Sequence, residues 1–75
     1  MEQTTKTKIE TILGGDRVVL FMKGDPQFPQ CGFSARAVAI LNELGTKFSS
    51  FNVFDDETVR EGIKEYGNWP TIPQL

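Results

Sequence analysis

The amino-acid sequence predicts an α/β domain in which helices cover both faces of a small parallel sheet. Three observations lead there. Val18-Val19-Leu20-Phe21-Met22 is a continuous apolar run between Asp16-Arg17 and Lys23-Gly24, the pattern of a strand covered on both faces. From Phe33 to Leu44, the residues Ala37, Ile40, Leu41 and Leu44, with Val38 beside them, recur at helical spacing, and Gly45 closes the run. A second strand candidate follows at Phe48–Phe54. A strand, a helix and a strand at this spacing make a right-handed crossover with the two strands parallel.

Taken in order, the chain opens with a short helix over Thr5–Leu13, where Ile9, Ile12 and Leu13 share a face and Gly14-Gly15 ends the pattern. Val18–Met22 is then the central strand, and the second helix begins at the cysteine. Phe48, Phe51, Val53 and Phe54 favour a strand, although their alternation is imperfect. Asp55 or Asp56 caps a third helix in which Val59, Ile63 and Tyr66 face one way, and Gly67 terminates it. The segment Asn68–Leu75 reads as extended, because Pro70 and Pro73 each bias the preceding residue away from helix. A two-stranded parallel sheet with open edges is a poor unit. The expectation is therefore one domain over 1–75, incomplete at its C-terminus.

Composition narrows the function classes. Below roughly 80 residues a domain often leans on a disulfide, a metal or a partner; this chain has 75 residues and one cysteine, so an internal disulfide is excluded. A lone cysteine also fits a reducing compartment. The N-terminus has no apolar signal-like core, and no window approaches the about 18 apolar residues of a membrane span. These features predict a cytoplasmic chain, or one from an organelle matrix or stroma if a transit peptide has been removed. Eight Lys and Arg against ten Asp and Glu leave a mixed net charge of −2, with no basic field for nucleic acid and no lipid-binding helix. Histidine is absent, which excludes an imidazole base or ligand.

Cys31 is the candidate reactive group. It stands at the start of a helix, where amide N–H groups lack intrahelical partners and the helix dipole is positive, so the thiolate is favoured there. Lys23 adds a cation across the loop. Pro29 and Gly32 mark exposed, turn-forming backbone around it rather than core.

Three stretches in order carry a resemblance: Phe21-Met22-Lys23-Gly24, then Cys31-Gly32-Phe33-Ser34, then Asn68-Trp69-Pro70-Thr71-Ile72-Pro73-Gln74-Leu75. Together they resemble the monothiol glutaredoxins of the CGFS type, over essentially the whole chain. The resemblance implies a three-layer thioredoxin-like (glutaredoxin) fold, here lacking the C-terminal hairpin and last helix. The family continues there with a glycine pair and an acidic residue, so a glutathione contact from that segment is not assigned.

The same resemblance implies site roles. Cys31 would be the catalytic thiolate and the metal ligand; Lys23, Arg60 and the backbone of Ile72 would hold glutathione, with Phe33 and Lys64 completing the candidate set. Arg60 and Lys64 lie four apart on one helical face, where like charges repel by a few tenths of a kcal/mol unless an anion sits between them; a solvated surface pair is the alternative. Ile72-Pro73 matches the place where thioredoxin-like folds carry a cis proline, which leaves the Ile72 backbone free to pair with an extended peptide. Phe33 and Trp69 each have a second reading as core aromatics. Ser34 stands where dithiol relatives carry a second cysteine. A mixed disulfide at Cys31 must then be resolved by a second glutathione or another protein's thiol.

Two functions follow. In the first, a [2Fe–2S] cluster takes four ligands, and two chains with two bound glutathiones supply four thiolates, so a glutathione-bridged homodimer would carry the cluster to acceptor proteins. The loop Asp25–Pro29 resembles the branch associated with cluster binding, and the family implies a BolA-like partner. In the second, Cys31 is the nucleophile of a glutathione-dependent oxidoreductase that removes glutathione from protein mixed disulfides.

Overall fold

The computed structural model describes Met1–Leu75. The elements run α1 (Gln3–Leu13), β1 (Val19–Met22), α2 (Gly32–Glu43), β2 (Ser49–Asn52), a 3-10 turn (Val53–Asp55) and α3 (Glu57–Tyr66). β1 and β2 pair in parallel, with Val19 opposite Ser49 and Met22 opposite Asn52. The other edge of β1 is also engaged: Phe21 and Gln74 exchange both backbone hydrogen bonds, 2.7 and 2.9 Å, in an antiparallel bridge. β1 is thus the centre of the sheet, as its unbroken apolar run predicts.

All four β1 side chains are buried, and they alternate between two cores. Val19 and Phe21 point to the α1 and α3 side, joining Ile9, Val53, Val59, Ile63 and Ile72. Leu20 and Met22 point the other way, onto Val38 and Leu41 of α2. The period of two in the strand meets helices on both faces, which makes three layers. α1 and α3 approach closely at Gly62, where an added Cβ would stand 2.6 Å from Thr5 Cγ2 and 3.2 Å from Ile9 Cδ1.

Several boundaries differ from the sequence-based expectation. α1 begins at Gln3 rather than Thr5, with the Met1 ammonium 3.1 Å from Glu65. β2 is shorter than Phe48–Phe54 because Asn52 ends it: its carboxamide oxygen accepts the Phe54 N–H at 3.0 Å and folds Val53–Asp55 into the 3-10 turn. Asp56, not Asp55, caps α3, accepting from the amides of Thr58 at 3.0 Å and Val59 at 3.3 Å. Gly67 ends α3 as expected, as its C-cap in right-handed conformation (φ −83°), and the left-handed residue is the next one, Asn68 (φ 51°).

The largest departure is the rotation of α2. Its buried residues are Ser34, Val38 and Leu41, whereas Ile40 and Leu44 of the expected apolar stripe are exposed. Ser34 is the cause. Its fully buried hydroxyl accepts the Lys23 N–H at 3.1 Å, and this cross-link from β1 fixes which face of the helix meets the sheet. Tyr66, expected beside Val59 and Ile63, does not join them in the core and is 38 % exposed at the last position of α3. Trp69 is 60 % exposed, so its core reading fails.

Candidate functional site

Cys31 is the N-cap residue of α2, in extended conformation (φ −157°, ψ 138°). The sequence produces this placement through the loop that precedes it. Gly24 takes φ +85° at the end of β1, and an added Cβ there would lie 2.5 Å from the Phe28 carbonyl oxygen. Asp25 then accepts the amides of Gln27 at 3.0 Å and Phe28 at 2.8 Å, turning the chain back. The Gln30 N–H returns to the Lys23 carbonyl at 2.9 Å. The loop therefore closes on the end of the strand and delivers Cys31 to the helix start, half-buried.

The Cys31 side chain makes no capping hydrogen bond, but its sulfur stands at the N-terminal end of α2, beside the helix's first amides. The Ser34 and then the Phe33 N–H hold the thiol below the usual cysteine range, against a smaller opposing effect of desolvation, and the Lys23 ammonium adds to them. The helix start contributes more than the lysine.

A cleft of about 600 Å³ opens beside the thiol. Lys23, Cys31, Phe33, Arg60, Lys64 and Ile72 all line it, so the six residues expected from the sequence converge from the loop after β1, the start of α2, α3 and the C-terminal segment. Arg60 is held in two ways. Its Nη1 is 3.7 Å from Glu57 and its guanidinium carbon lies 5.5 Å from the centroid of the Phe54 ring, while its Nε is buried with no hydrogen-bond partner. Lys64 pairs with Glu61 at 3.0 Å, and that bond lowers the Glu61 pKa. The like-charge problem between Arg60 and Lys64 is thus relieved by two carboxylates on the helix surface. The Ile72–Pro73 bond is cis, and neither the N–H nor the C=O of Ile72 has a partner within the protein.

Phe33 is 76 % exposed at the rim, which removes its core reading. Sequence reasoning missed three residues. Arg36 also lines the cleft, one helical turn beyond Phe33, as does Ile40 a turn further on. Their spacing of i, i+3 and i+7 from Phe33 was visible in the chain, but the rotation of α2 that turns this face to the cleft was not. Asn52 is the third. Its one carboxamide oxygen accepts both the Gly24 N–H and the Phe54 N–H, each at 3.0 Å, tying the residue next to Lys23 to the aromatic ring beneath Arg60.

The arrangement can hold a ligand with carboxylate groups, pair its backbone along Ile72 and bring a sulfur to a thiolate. Comparison with known proteins agrees in outline. The family model described as Glutaredoxin matches residues 18–75. A Synechocystis sp. protein named "Uncharacterized monothiol glutaredoxin ycf64-like" is 49% identical over 75 residues, covering 100% of this chain and 70% of that one. "Monothiol glutaredoxin-5, mitochondrial" of Lachancea kluyveri is 51% identical over 74 residues, covering 95% of this chain and 52% of that one. The solution structure of reduced poplar apo GrxS14 superposes with a TM-score of 0.78 at 50% identity, covering 93% of this chain and 64% of that one. The chain thus spans between about half and 70% of the length of these relatives.

Proposed function

The chain belongs to the glutaredoxin family, in its monothiol branch, and on that footing we propose that it binds glutathione in the Cys31 cleft and, as a glutathione-bridged homodimer, carries a [2Fe–2S] cluster to acceptor proteins. The observation that carries this reading is the convergence of an activated thiol with four cations and a free backbone segment in one cleft. Glutathione is an extended peptide with two carboxylates. Arg60 and Lys64 suit one carboxylate, Lys23 lies beside the thiol, and the unpaired Ile72 N–H and C=O suit its backbone. Phe33 walls the rim.

The donor set supports the dimer. No group of three or more His, Cys, Asp or Glu side chains gathers anywhere in the chain, so one chain offers a cluster a single thiolate. Two chains and two glutathiones make up the four ligands. Cys31 stands half-exposed at the cleft, where its sulfur can be shared across an interface. Ligands that are not part of the chain exchange more readily than four protein cysteines, which suits a carrier. A BolA-like protein and iron–sulfur acceptor proteins are the partners this reading implies. No helix is long and apolar enough to cross a membrane, and the proposed compartment is the cytoplasm or an organelle matrix.

The lowered pKa of Cys31 favours a second reading as an oxidoreductase. The Cys31 thiolate attacks the glutathione sulfur of a protein mixed disulfide, forms a Cys31–glutathione disulfide and releases the protein thiolate. A second glutathione thiolate then attacks that disulfide, giving glutathione disulfide and restoring Cys31. Ser34 cannot take this second step, because it has no thiol and a hydroxyl forms no disulfide.

Anaerobic reconstitution with iron, sulfide and glutathione decides between the two. A coloured species with the mass of a dimer, dependent on both glutathione and Cys31 and lost in Cys31→Ser, is the expected result. A folded, colourless protein that still exchanges glutathione overturns the carrier reading in favour of the oxidoreductase.

A further inference from the structure

We infer that the α2 wall of the cleft docks an extended segment of the partner protein, and that Arg36 selects a segment with an acidic side chain two residues from its reacting cysteine. The inference rests on the reading of the Cys31 cleft as the working site. It starts from the charge distribution. The chain carries a net −2, yet four of its eight Lys and Arg residues line the cleft and none of its ten Asp and Glu residues does. Three of those four cations are accounted for. Arg60 pairs with Glu57, Lys64 with Glu61, and Lys23 acts on the Cys31 thiolate. Neither Lys23 nor Arg36 has an ion pair or a side-chain hydrogen bond, but Lys23 stands beside the thiol, whereas Arg36 is exposed and is left without a partner.

Its neighbours on the helix say what kind of segment fits. Phe33 and Ile40 lie on the same face, at i−3 and i+4 from Arg36, and are 76 % and 47 % exposed. The wall therefore presents an apolar, a cationic and an apolar position in line from the thiol. Arg36 follows Cys31 by five residues and Ile40 by nine, which at ~1.5 Å per helical residue puts them about 7.5 and about 13.5 Å along the axis. An extended segment advances ~3.3 Å per residue, so its residues two and four from the cysteine reach these two levels. Those two residues point to the same side of an extended chain. The matching segment has Asp or Glu at the second position from its cysteine and an apolar residue at the fourth. Opposite charge at a rim position of this kind steers association and discriminates between partners.

The test uses short peptides with serine at the cysteine position, glutamate or lysine two residues away and leucine four residues away, in both chain directions. Each is titrated into the protein while the α2 amide resonances are followed by NMR. The glutamate peptide is expected to bind about fivefold more tightly than its lysine counterpart at low salt, with the preference shrinking as salt rises. The ratio should fall close to one in Arg36→Gln and invert in Arg36→Glu. Equal binding of the two peptides, a preference that survives in Arg36→Gln, or no shift of α2 amides with either peptide overturns the inference. A separate titration with glutathione tests the underlying reading: loss of glutathione binding with the peptide preference intact removes that reading and leaves the docking surface standing.

Discussion

Replacing Asn52 by alanine removes one oxygen and two hydrogen bonds at once. The Gly24 N–H is part-buried in a fully packed turn, with the Phe28 carbonyl and Gln30 close around it, so water cannot readily replace the lost acceptor. Leaving such a donor unsatisfied costs about 1–3 kcal/mol. The Phe54 N–H is exposed and finds water, so its loss adds only about 0.5 kcal/mol. The sum is about 2 kcal/mol, or a fall in Tm of about 10 °C for a domain of this size. Asn52→Asp retains the accepting oxygen and should lose much less than the alanine variant. Urea unfolding followed by circular dichroism, with the m-value compared across variants, measures the difference. The reasoning is refuted if Asn52→Ala lies within about 0.5 kcal/mol of the wild type, or if Asn52→Asp is as destabilised as Asn52→Ala.

Two further predictions concern pH. The Cys31 thiol is held low by the Ser34 and Phe33 amides first and by Lys23 only after them; its alkylation rate should therefore reach half-maximum below the pH of an unstructured cysteine, and Lys23→Gln should move that midpoint up without restoring the free value. Because the folded pKa is the lower one, the thiolate's contribution to stability is complete above the unfolded pKa and lost as pH falls through the folded pKa; Cys31→Ser should remove that part of the slope from unfolding curves. Asp56 is lowered to about 2, first by the Thr58 hydroxyl at 2.6 Å and then by Lys8 at 3.0 Å. Its contribution is present above the unfolded value of 3.8 and disappears as pH falls through about 2, and NMR titration should show Thr58→Val raising this pKa more than Lys8→Met does.

How much of this was legible beforehand depends on the range of the interaction. The Val18–Met22 run, the capping of the third helix by an aspartate next to Thr58 and Val59, and the cysteine at a helix start all rest on neighbours within a few residues. Sequence pattern reports such contacts directly. Local context singles out Cys31 with Lys23, and helical spacing pairs Arg60 with Lys64, but that these and Ile72 belong to one site rests on the family resemblance, since the six cleft residues come from four separate segments. That resemblance also anticipated the cis bond at Ile72–Pro73.

What the amino-acid sequence determined by itself is the order of elements, the buried central strand, the lone thiol at the head of α2 and the supply of cations on α3. Tertiary structure decided the rest. The Lys23 amide and the Ser34 hydroxyl are 11 residues apart, and the Gly24 amide and the Asn52 carboxamide 28 apart. No periodicity encodes a bond across such distances. Yet the first rotates α2, which buries Ser34 and turns Phe33, Arg36 and Ile40 outward, and the second joins the strand end to the Phe54 ring beneath Arg60. An apolar stripe in a sequence marks a helix, but which of its faces meets the sheet is settled by the few polar groups that must find partners once they are buried.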